Sequence, residues 1–227
     1  MTKLSTKDIP ASGSGISKKL QPGNQKCKIL SVELKPFTFK PGAYELHMNM
    51  VGPDLGPDFQ GFPIDKNDPS LGNHTGQVGR VKSTEWAYAD GETKSGVKIS
   101  RDIEIMKFIN NLCISIGKKD WMDAQDNKHE TIESLVEAFN NEKPFKDMYI
   151  DFCIAGKEYV SNNYTNYDMF LPKTSKSGVP FYLEGVTKMK LIPFDENVHI
   201  IKKKVSTVSN FDDGATDMSA PANDFEL

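Results

Sequence analysis

Residues 43–52, AYELHMNMVG, constrain the fold more than any other stretch, because apolar and polar side chains alternate there without a break. The apolar side chains occupy every second position: Tyr44, Leu46, Met48 and Met50. Glu45, His47 and Asn49 take the positions between them. A period of two places alternate side chains on opposite faces of a strand. The segment is therefore predicted to be a strand with one face buried against a core.

Four further segments carry strand signals, and two helical segments separate the third strand from the fourth. The remaining strands are predicted over residues 25–35, 76–89, 148–156 and 179–194. One helix follows the N-cap Ser100 and ends at Gly117, which suits the position after a helix terminus. The other helix begins near Thr131 and ends before Pro144. Residues 52–75, dense in Gly, Pro, Asp and Asn, are predicted to form a long loop.

The predicted order is three strands, two helices and two strands. Strands and helices do not alternate one by one, so a parallel sheet wound with helices is disfavoured. The predicted fold class is mainly β with a minor α part. The element order is that of the oligonucleotide-binding (OB) fold, here a five-stranded antiparallel barrel with helices between strands three and four.

Charge is distributed unevenly along the chain. The first forty residues contain eight Lys and only two acids, whereas residues 205–227 contain five acids and no Lys or Arg. We therefore predict a flexible basic arm over residues 1–22, one OB-like domain over residues 23–204 and a disordered acidic tail over residues 205–227.

The motifs of common enzyme classes are absent from the sequence. It contains no phosphate-binding loop, no nucleophile elbow, no zinc-protease helix and no closely paired cysteines. The cysteines, Cys27, Cys113 and Cys153, are widely spaced among apolar residues and are predicted to be buried free thiols of a reducing compartment. The four histidines have no metal-ligand spacing. We expect no enzymatic activity, no cofactor and no bound metal.

The sequence also carries no signal for export or membrane insertion. Residues 1–20 contain no apolar stretch like that of a secretory leader, and no apolar run approaches the roughly 18 residues of a membrane span. A cytoplasmic protein without a membrane partner is expected.

The segment 156–176, between the last two predicted strands, combines aromatic and basic side chains. It contains Tyr159, Tyr164 and Tyr167, and its Lys residues are Lys157, Lys173 and Lys176. Single-stranded nucleic acid is bound by this pairing, because bases stack on aromatic faces at about 1–3 kcal/mol each while cations follow the phosphates. The loop between strands four and five of an OB fold borders the binding groove. These six side chains are therefore candidate nucleic-acid ligands, although packing of the tyrosines on the barrel is an open alternative.

The third predicted strand offers a second aromatic platform. Trp86 and Tyr88 share one face of it, and Arg80 and Lys82 lie further back on the same face. One face of the strand is core, and the sequence leaves open which one. We include all four residues as candidate ligands of nucleic acid.

The loop after the first predicted strand repeats the same composition. Phe37 and Phe39 lie between Lys35 and Lys40 in the segment KPFTFK. This loop also borders the groove of an OB fold. Whether the two rings face nucleic acid or plug the end of the barrel stays open from the sequence, and all four residues are candidates.

A basic OB-like body with an aromatic hairpin between its last strands, followed by an acidic tail with a near-terminal Phe, resembles phage-type single-stranded DNA-binding proteins. The resemblance covers residues 205–227 in the tail and is architectural in the body. It implies sequence-independent binding of single-stranded DNA in replication, recombination or repair, in the host cytoplasm, and is compatible with an oligomer. The implied partners are replication proteins, which the tail would recruit through these residues: Asp212, Asp213, Asp224, Phe225 and Glu226.

Two other functions compete with this interpretation. An OB-like barrel can act as a virion or replisome scaffold that grips protein or duplex DNA. A Mg²⁺-dependent nuclease could use carboxylates of residues 54–68.

Overall fold

The computed structural model describes residues 16–161 and 164–202, and in them nine strands and four helices. The strands are β1 (Gly23–Pro36), β2 (Tyr44–Val51), β3 (Val78–Lys82), β4 (Gly91–Glu92), β5 (Lys98–Ile99), β6 (Ile150–Ser161), β7 (Tyr164–Phe170), β8 (Phe181–Tyr182) and β9 (Ile200–Ile201). The helices are α1 (Arg101–Ser115), α2 (Lys119–Asp123), α3 (Ile132–Glu142) and α4 (Glu196–His199). Strands hold 34% of the residues and helices 21%, so the chain is mainly β, as predicted.

Five strands hydrogen-bond in a closed ring. The order around it is β1-β2-β3-β7-β6, and β6 pairs again with β1. Four of the joins are antiparallel, but β3 and β7 run parallel where Val81 lies beside Met169 and Lys82 beside Phe170. The wholly antiparallel sheet that the sequence predicted is therefore wrong at this join. The helices α1, α2 and α3 lie in sequence between the third and fourth strands of the ring, as predicted.

Strand β1 is long enough to pair with two other strands. Its first part pairs with β6 from Gly23 to Cys27, and its second part pairs with β2 from Lys28 onward. The register shifts between Ile29 and Ser31, which marks a bulge. A bulge bends its strand and increases the local twist. This bend lets one strand close the ring on both sides.

The side chain of Asn140 on α3 holds the backbone of β1 just after this bulge. Its amide Oδ1 accepts the N–H of Val32 at 2.7 Å, and its Nδ2 donates to the C=O of Val32 at 2.5 Å. The side chain of Val32 is buried in the core. Because buried backbone groups must be paired, Asn140 takes the place of a neighbouring strand at this residue.

The two predicted helices are confirmed, and so is the predicted N-cap Ser100. Ser100 accepts the N–H of Ile103 at the start of α1, and Thr131 does the same for Ser134 at the start of α3. Gly117 follows α1 with φ of 70°. The apolar stripe of α1 is buried in the core: Ile105, Ile109, Leu112 and Ile116. No helix within residues 16–161 and 164–202 is long and apolar enough to cross a membrane.

The fifth strand of the ring lies earlier in the chain than predicted. It is β7, within the segment that the sequence analysis assigned to a loop, and it forms a hairpin with an extended β6. The pairing runs from Ala155 beside Phe170 to Ser161 beside Tyr164. The hairpin projects beyond the core, so backbone hydrogen bonds stabilise it where few of its side chains are buried. Such a strand shows no apolar alternation, and its sequence resembles that of a polar loop.

The predicted strands at residues 76–89 and 179–194 are too long. The former ends at Lys82, and Trp86 and Tyr88 lie in the connection that follows. In the latter, only β8 and a single bridge between Val179 and Leu191 are extended. Pro180, Gly185 and Pro193 interrupt this segment, because Pro cannot donate to a ladder and Gly weakens a strand.

Residues 16–22 belong to the folded body, so the predicted arm boundary at residue 22 is wrong. Leu20 is buried, its N–H donates to the C=O of Val78 at 2.8 Å, and the N–H of Val78 donates to the C=O of Lys18. The segment passes close to two glycines of the ring. A β-carbon at Gly79 would lie 2.6 Å from that of Leu20, and one at Gly156 would lie 2.7 Å from Cγ of Pro22. Residues 1–15 lie outside the described residues.

All three cysteines are free and buried, as predicted. Burial raises the pKa of Cys27 and of Cys113 to about 12 each, and that of Cys153 to about 11. Asp151 adds to the shift at Cys27, because its negative charge opposes the thiolate.

We expect Gly79→Ala to lower the free energy of unfolding by about 1–3 kcal/mol, because the new methyl group meets Leu20 and Met169. Urea denaturation would measure the change. Gly91→Ala is the matched control, since a β-carbon there meets nothing within 4 Å. Equal stability of the two variants would contradict the close packing of residues 16–22 on β3.

We also expect none of the three thiols to react with Ellman's reagent in the native protein at pH 8. Buried thiols with raised pKa values supply almost no accessible thiolate. All three should react after denaturation in guanidinium chloride. Rapid labelling of the native protein would show that one of the cysteines is accessible.

Candidate nucleic-acid interface

Polar side chains form cross-strand rows on the face of β1, β2 and β3 that points away from the core. Ser31, Asn49 and Arg80 are neighbours in register, and so are Glu33, His47 and Lys82. Asn49 links its row, because Nδ2 donates to Ser31 at 2.8 Å and Nε of Arg80 donates to its Oδ1 at 3.3 Å. This face was predicted to carry Arg80 and Lys82 together, and both residues do lie on it.

Lys82, however, is engaged in ion pairs and is not free to bind phosphate. Lys82 is 9% exposed, and its Nζ lies 2.6 Å from Oδ2 of Asp168 and 3.4 Å from Oε1 of Glu45. Two carboxylates therefore already neutralise this ammonium group. The prediction that Lys82 contacts nucleic acid is corrected to a structural role, because moving Lys82 would leave Asp168 without an ion-pair partner among the described residues and Glu45 with His47 alone.

Tyr88 is likewise a packing residue and not an open stacking platform. Its ring packs against the core cluster, its hydroxyl is hydrogen-bonded to Oγ of Ser83 at 2.8 Å, and its backbone is bridged to Tyr44. Burial raises the pKa of Tyr88 to about 12. The prediction placed Tyr88 and Trp86 on the same face of one strand. In the structure both residues lie in the connection after β3, where Tyr88 packs against the core and Trp86 is exposed.

Two further titratable groups in the polar rows have shifted pKa values. Burial lowers the pKa of His47, and the hydrogen bond from its Nε2 to Glu45 offsets this only in part. Its Nδ1 is buried and has no hydrogen-bond partner among the described residues. Burial alone would raise the pKa of Glu33, but the hydrogen bond from Asn49 and the charges of Lys35 and Arg80 outweigh it and lower the pKa.

Trp86 is an exposed aromatic side chain in the connection that follows β3. It is 63% exposed, and Nζ of Lys157 lies over its ring at 5.7 Å from the centroid. Both residues line a shallow depression of about 370 Å³, which Phe37 and Lys40 also border. A cation over an indole face favours a fixed ring orientation. Trp86 thus presents an ordered aromatic surface to solvent.

The loop after β1 presents one ring to solvent and keeps the other half-buried. Phe39 is 88% exposed, and its ring meets that of Phe37 edge to face at 5.6 Å between centroids. The alternative that both rings plug the barrel end is thereby excluded for Phe39. Lys35 pairs with Glu33 at 3.3 Å at the surface, whereas Lys40 is exposed beside Phe37.

The three tyrosines of the hairpin of β6 and β7 differ in their exposure to solvent. Tyr164 is 74% exposed and Tyr159 is 45% exposed. Tyr167 packs against the core and against Gly156, whose added β-carbon would lie 3.1 Å from its ring. Tyr164 and Tyr159 are therefore accessible for stacking, and Tyr167 exposes only part of its ring.

Tyr159, Tyr167 and Arg80 border a groove of about 1010 Å³. The long loop over residues 52–75 forms one wall of this groove through Phe62 and Lys66. Three cations on its lining were not among the predicted ligands: Lys19, Lys66 and Lys143. Lys19 lies in the predicted arm, and Lys143 follows α3 in a left-handed conformation that its sequence does not signal. The sequence signal that points to Lys66 as a ligand is its position near Phe62 in the long loop, since a cation near an aromatic ring suits nucleic acid.

The groove, the depression beside Trp86 and a third depression between them adjoin one another. Lys157 lines both the depression beside Trp86 and the middle one, and Tyr159 lines both the middle one and the groove. We call this continuous surface the track, and its defining residues are Phe37, Lys40, Trp86, Lys157, Tyr159, Arg80 and Lys19. The track follows the hairpin and the outward face of the ring.

The remaining predicted residues lie off the track or outside the described residues. Lys173 borders a separate depression beside Trp86, and Lys176 is exposed in the turn closed by the bridge between Ser175 and Gly178. The predicted partner-binding residues lie outside the described residues: Asp212, Asp213, Asp224, Phe225 and Glu226.

Three carboxylates of the long loop accept hydrogen bonds from backbone N–H groups of the same loop. Asp54, Asp65 and Asp68 each accept an N–H from the residue two positions later, at 2.8–3.0 Å. Across residues 16–161 and 164–202, no three His, Cys, Asp or Glu side chains lie close enough together to hold a metal ion.

No protein-family model, no curated protein and no solved structure matches the chain.

Lys82→Gln and Arg80→Gln each remove one positive charge from β3, and we expect them to differ in their effect on stability. Lys82→Gln should lower the free energy of unfolding by about 1–3 kcal/mol, because Asp168 loses its ion-pair partner and Glu45 keeps only His47. Arg80→Gln should change it by less than about 0.5 kcal/mol, because the Arg80 side chain is half exposed. Urea denaturation of both variants would measure this. Equal losses would contradict the structural role of Lys82.

Proposed function

We propose that the chain binds single-stranded DNA without regard to its sequence, through the track, and acts in DNA replication, recombination or repair. The observation that carries the proposal is the continuity of the track. Along it, exposed aromatic rings alternate with cations that single strands require. Trp86 and Tyr159 offer faces to bases, while Lys40, Lys157 and Arg80 offer charges to phosphates.

The architecture of the ring supports an OB-like fold as part of this proposal. An OB fold binds oligonucleotides on the face of its second and third strands, between the loop after its first strand and the loop between its last two. In this chain the corresponding parts are the outward face of β2 and β3, the loop with Phe39 and the hairpin of β6 and β7. The track touches all three parts.

The charges of the track favour moderate, salt-dependent binding. Lys82 offsets one of the two charges of Glu45 and Asp168, so together they repel a phosphate less than two bare carboxylates would. Among the described residues, Lys40, Lys157 and Lys19 form no ion pair with a carboxylate. Each phosphate that such a cation neutralises contributes about −0.7 to the slope of log K against log salt for single strands.

The acidic tail enters the proposal through its sequence alone. Phe225 lies among Asp224 and Glu226 near the end of the sequence, and a ring flanked by carboxylates suits a basic pocket with an apolar floor. We propose that residues 205–227 recruit replication proteins. Deleting them should leave binding of single-stranded DNA intact or tighter, because the tail's charge then no longer competes with phosphate.

Fluorescence anisotropy with a labelled dT oligomer tests the central claim. The full chain should bind the oligomer more tightly than a duplex of the same length, and log K should fall linearly with log salt. Equal affinity for duplex, or no binding at low salt, would overturn the proposal. Equal affinity would favour the scaffold alternative, and cleavage of the labelled strand with added Mg²⁺ would favour a nuclease.

Trp86→Ala and Tyr159→Ala should each weaken binding of the dT oligomer by about 5- to 100-fold, since one stacked base contributes about 1–3 kcal/mol. Their melting temperatures should change little, because both rings are largely exposed. Tyr149→Ala is the matched control, since Tyr149 is 37% exposed, lies under the Nζ of Lys28 and is absent from the track. A loss as large for Tyr149→Ala would refute the location of the site.

A further inference from the structure

A second depression lies beside Trp86 and is not part of the track. Its volume is about 580 Å³, within the range of about 300–1,000 Å³ that is usual for small-molecule sites. We call it the side pocket, and the residues that define it are Trp86, Pro172, Lys173, Ile192, Val198 and His199. Trp86 lines both the side pocket and the depression that contains Lys157. The indole therefore divides the two.

The two faces of the indole are differently occupied. Nζ of Lys157 lies over the ring, and Lys157 lines the depression on the track but not the side pocket. The face toward the side pocket is therefore available to another flat group. Apolar side chains continue from it: Val198 is 68% exposed, and Ile192 is buried beneath. An aromatic wall joined to apolar walls suits a planar ring that is itself poorly hydrated on its faces.

His199 supplies a polar ring to the same pocket. Its Nδ1 lies 2.9 Å from the backbone N of Asp195 and 3.1 Å from the backbone O of Asp195, so the backbone engages this nitrogen and Nε2 is the ring nitrogen left for a ligand. Phe194 stacks on the imidazole at 5.5 Å between centroids. The ring is thus held in one orientation by its stacking and by the backbone of Asp195. A nucleobase edge carries both donors and acceptors, so it can pair with Nε2.

Lys173 completes the chemistry of a nucleotide site. It is exposed at the border of the pocket and forms no ion pair with a carboxylate among the described residues. A flat apolar wall, one imidazole nitrogen and one unpaired cation match the base and the phosphate of a single nucleotide. An apolar protein segment would need neither the imidazole nitrogen nor the cation.

The geometry points to the side pocket as the site of one unstacked nucleobase of the bound strand, held against the face of Trp86 opposite Lys157. This inference rests on the proposed function and extends it. A strand on the track would turn one base past the indole into the pocket, and its phosphate would lie near Lys173. The neighbouring bases would stay on the track side of Trp86.

Two substitutions on exposed valines test the site without disturbing the core. Val198→Glu places a carboxylate at the side pocket, whereas Val97→Glu places one on the hairpin of β4 and β5, where Val97 is 60% exposed. In anisotropy measurements with a dT oligomer, Val198→Glu should weaken binding by about fivefold or more, the equivalent of one lost stacked base. Val97→Glu should match the wild type, and both variants should keep its melting temperature.

Photocrosslinking with an oligomer that carries 5-iodouracil gives an independent readout. Peptides that contain Trp86 or residues 192–199 should be labelled in the wild type, and labelling of residues 192–199 should fall in Val198→Glu. If the wild type binds the dT oligomer but Val198→Glu behaves like Val97→Glu and no label reaches residues 192–199, the side pocket is overturned and the proposed function stands. If the wild type does not bind the oligomer, the proposed function itself is overturned.

Discussion

The ring of strands depends on one change of partner in the middle of β1. The strand leaves β6 and joins β2 next to its bulge, so that on the edge away from β2 the N–H and C=O of Val32 have no neighbouring strand in the described part of the chain. Asn140 binds both groups from α3. A buried peptide group without partners would cost about 1–3 kcal/mol per group. The helical segment between the third and fourth strands of the ring is thus coupled to the closure of the sheet.

Closure of the ring also determines where function can reside. Because apolar side chains of β1, β2, β6 and α1 fill the interior, the chemistry lies on the outward face, the hairpin and the connecting loops. The outward face is not uniformly basic. Lys82 offsets one of the two charges of Glu45 and Asp168, and the remaining cations and exposed rings lie around this ion-pair cluster. The candidate interface is a band along exposed edges of the ring, and the ion pairs beneath it stabilise the fold.

The sequence predicts the elements whose stability is local or whose burial is one-sided. The caps Ser100 and Thr131 and the alternation in β2 belong to this class. The sequence pattern does not predict β7, because that strand is stabilised by backbone pairing within the hairpin and not by a periodic apolar face. Among the site residues, Trp86 and Tyr159 are exposed, as stacking on a base requires. Lys82 and Tyr88 could not be separated from them, because their burial depends on Asp168 and Ser83, partners that only the fold brings near.

The join between β3 and β7 is the shortest of the five in the ring. Only Val81 with Met169 and Lys82 with Phe170 are paired there, and the N–H of Leu171 adds one bond to the C=O of Lys82. The ion pair between Lys82 and Asp168 crosses the same join. Because local opening occurs where the fewest hydrogen bonds must break, this seam is the place at which the ring opens first. A ligand that contacts both strands of the seam would hold them together, so binding at the outer surface and local opening of the ring are thermodynamically linked.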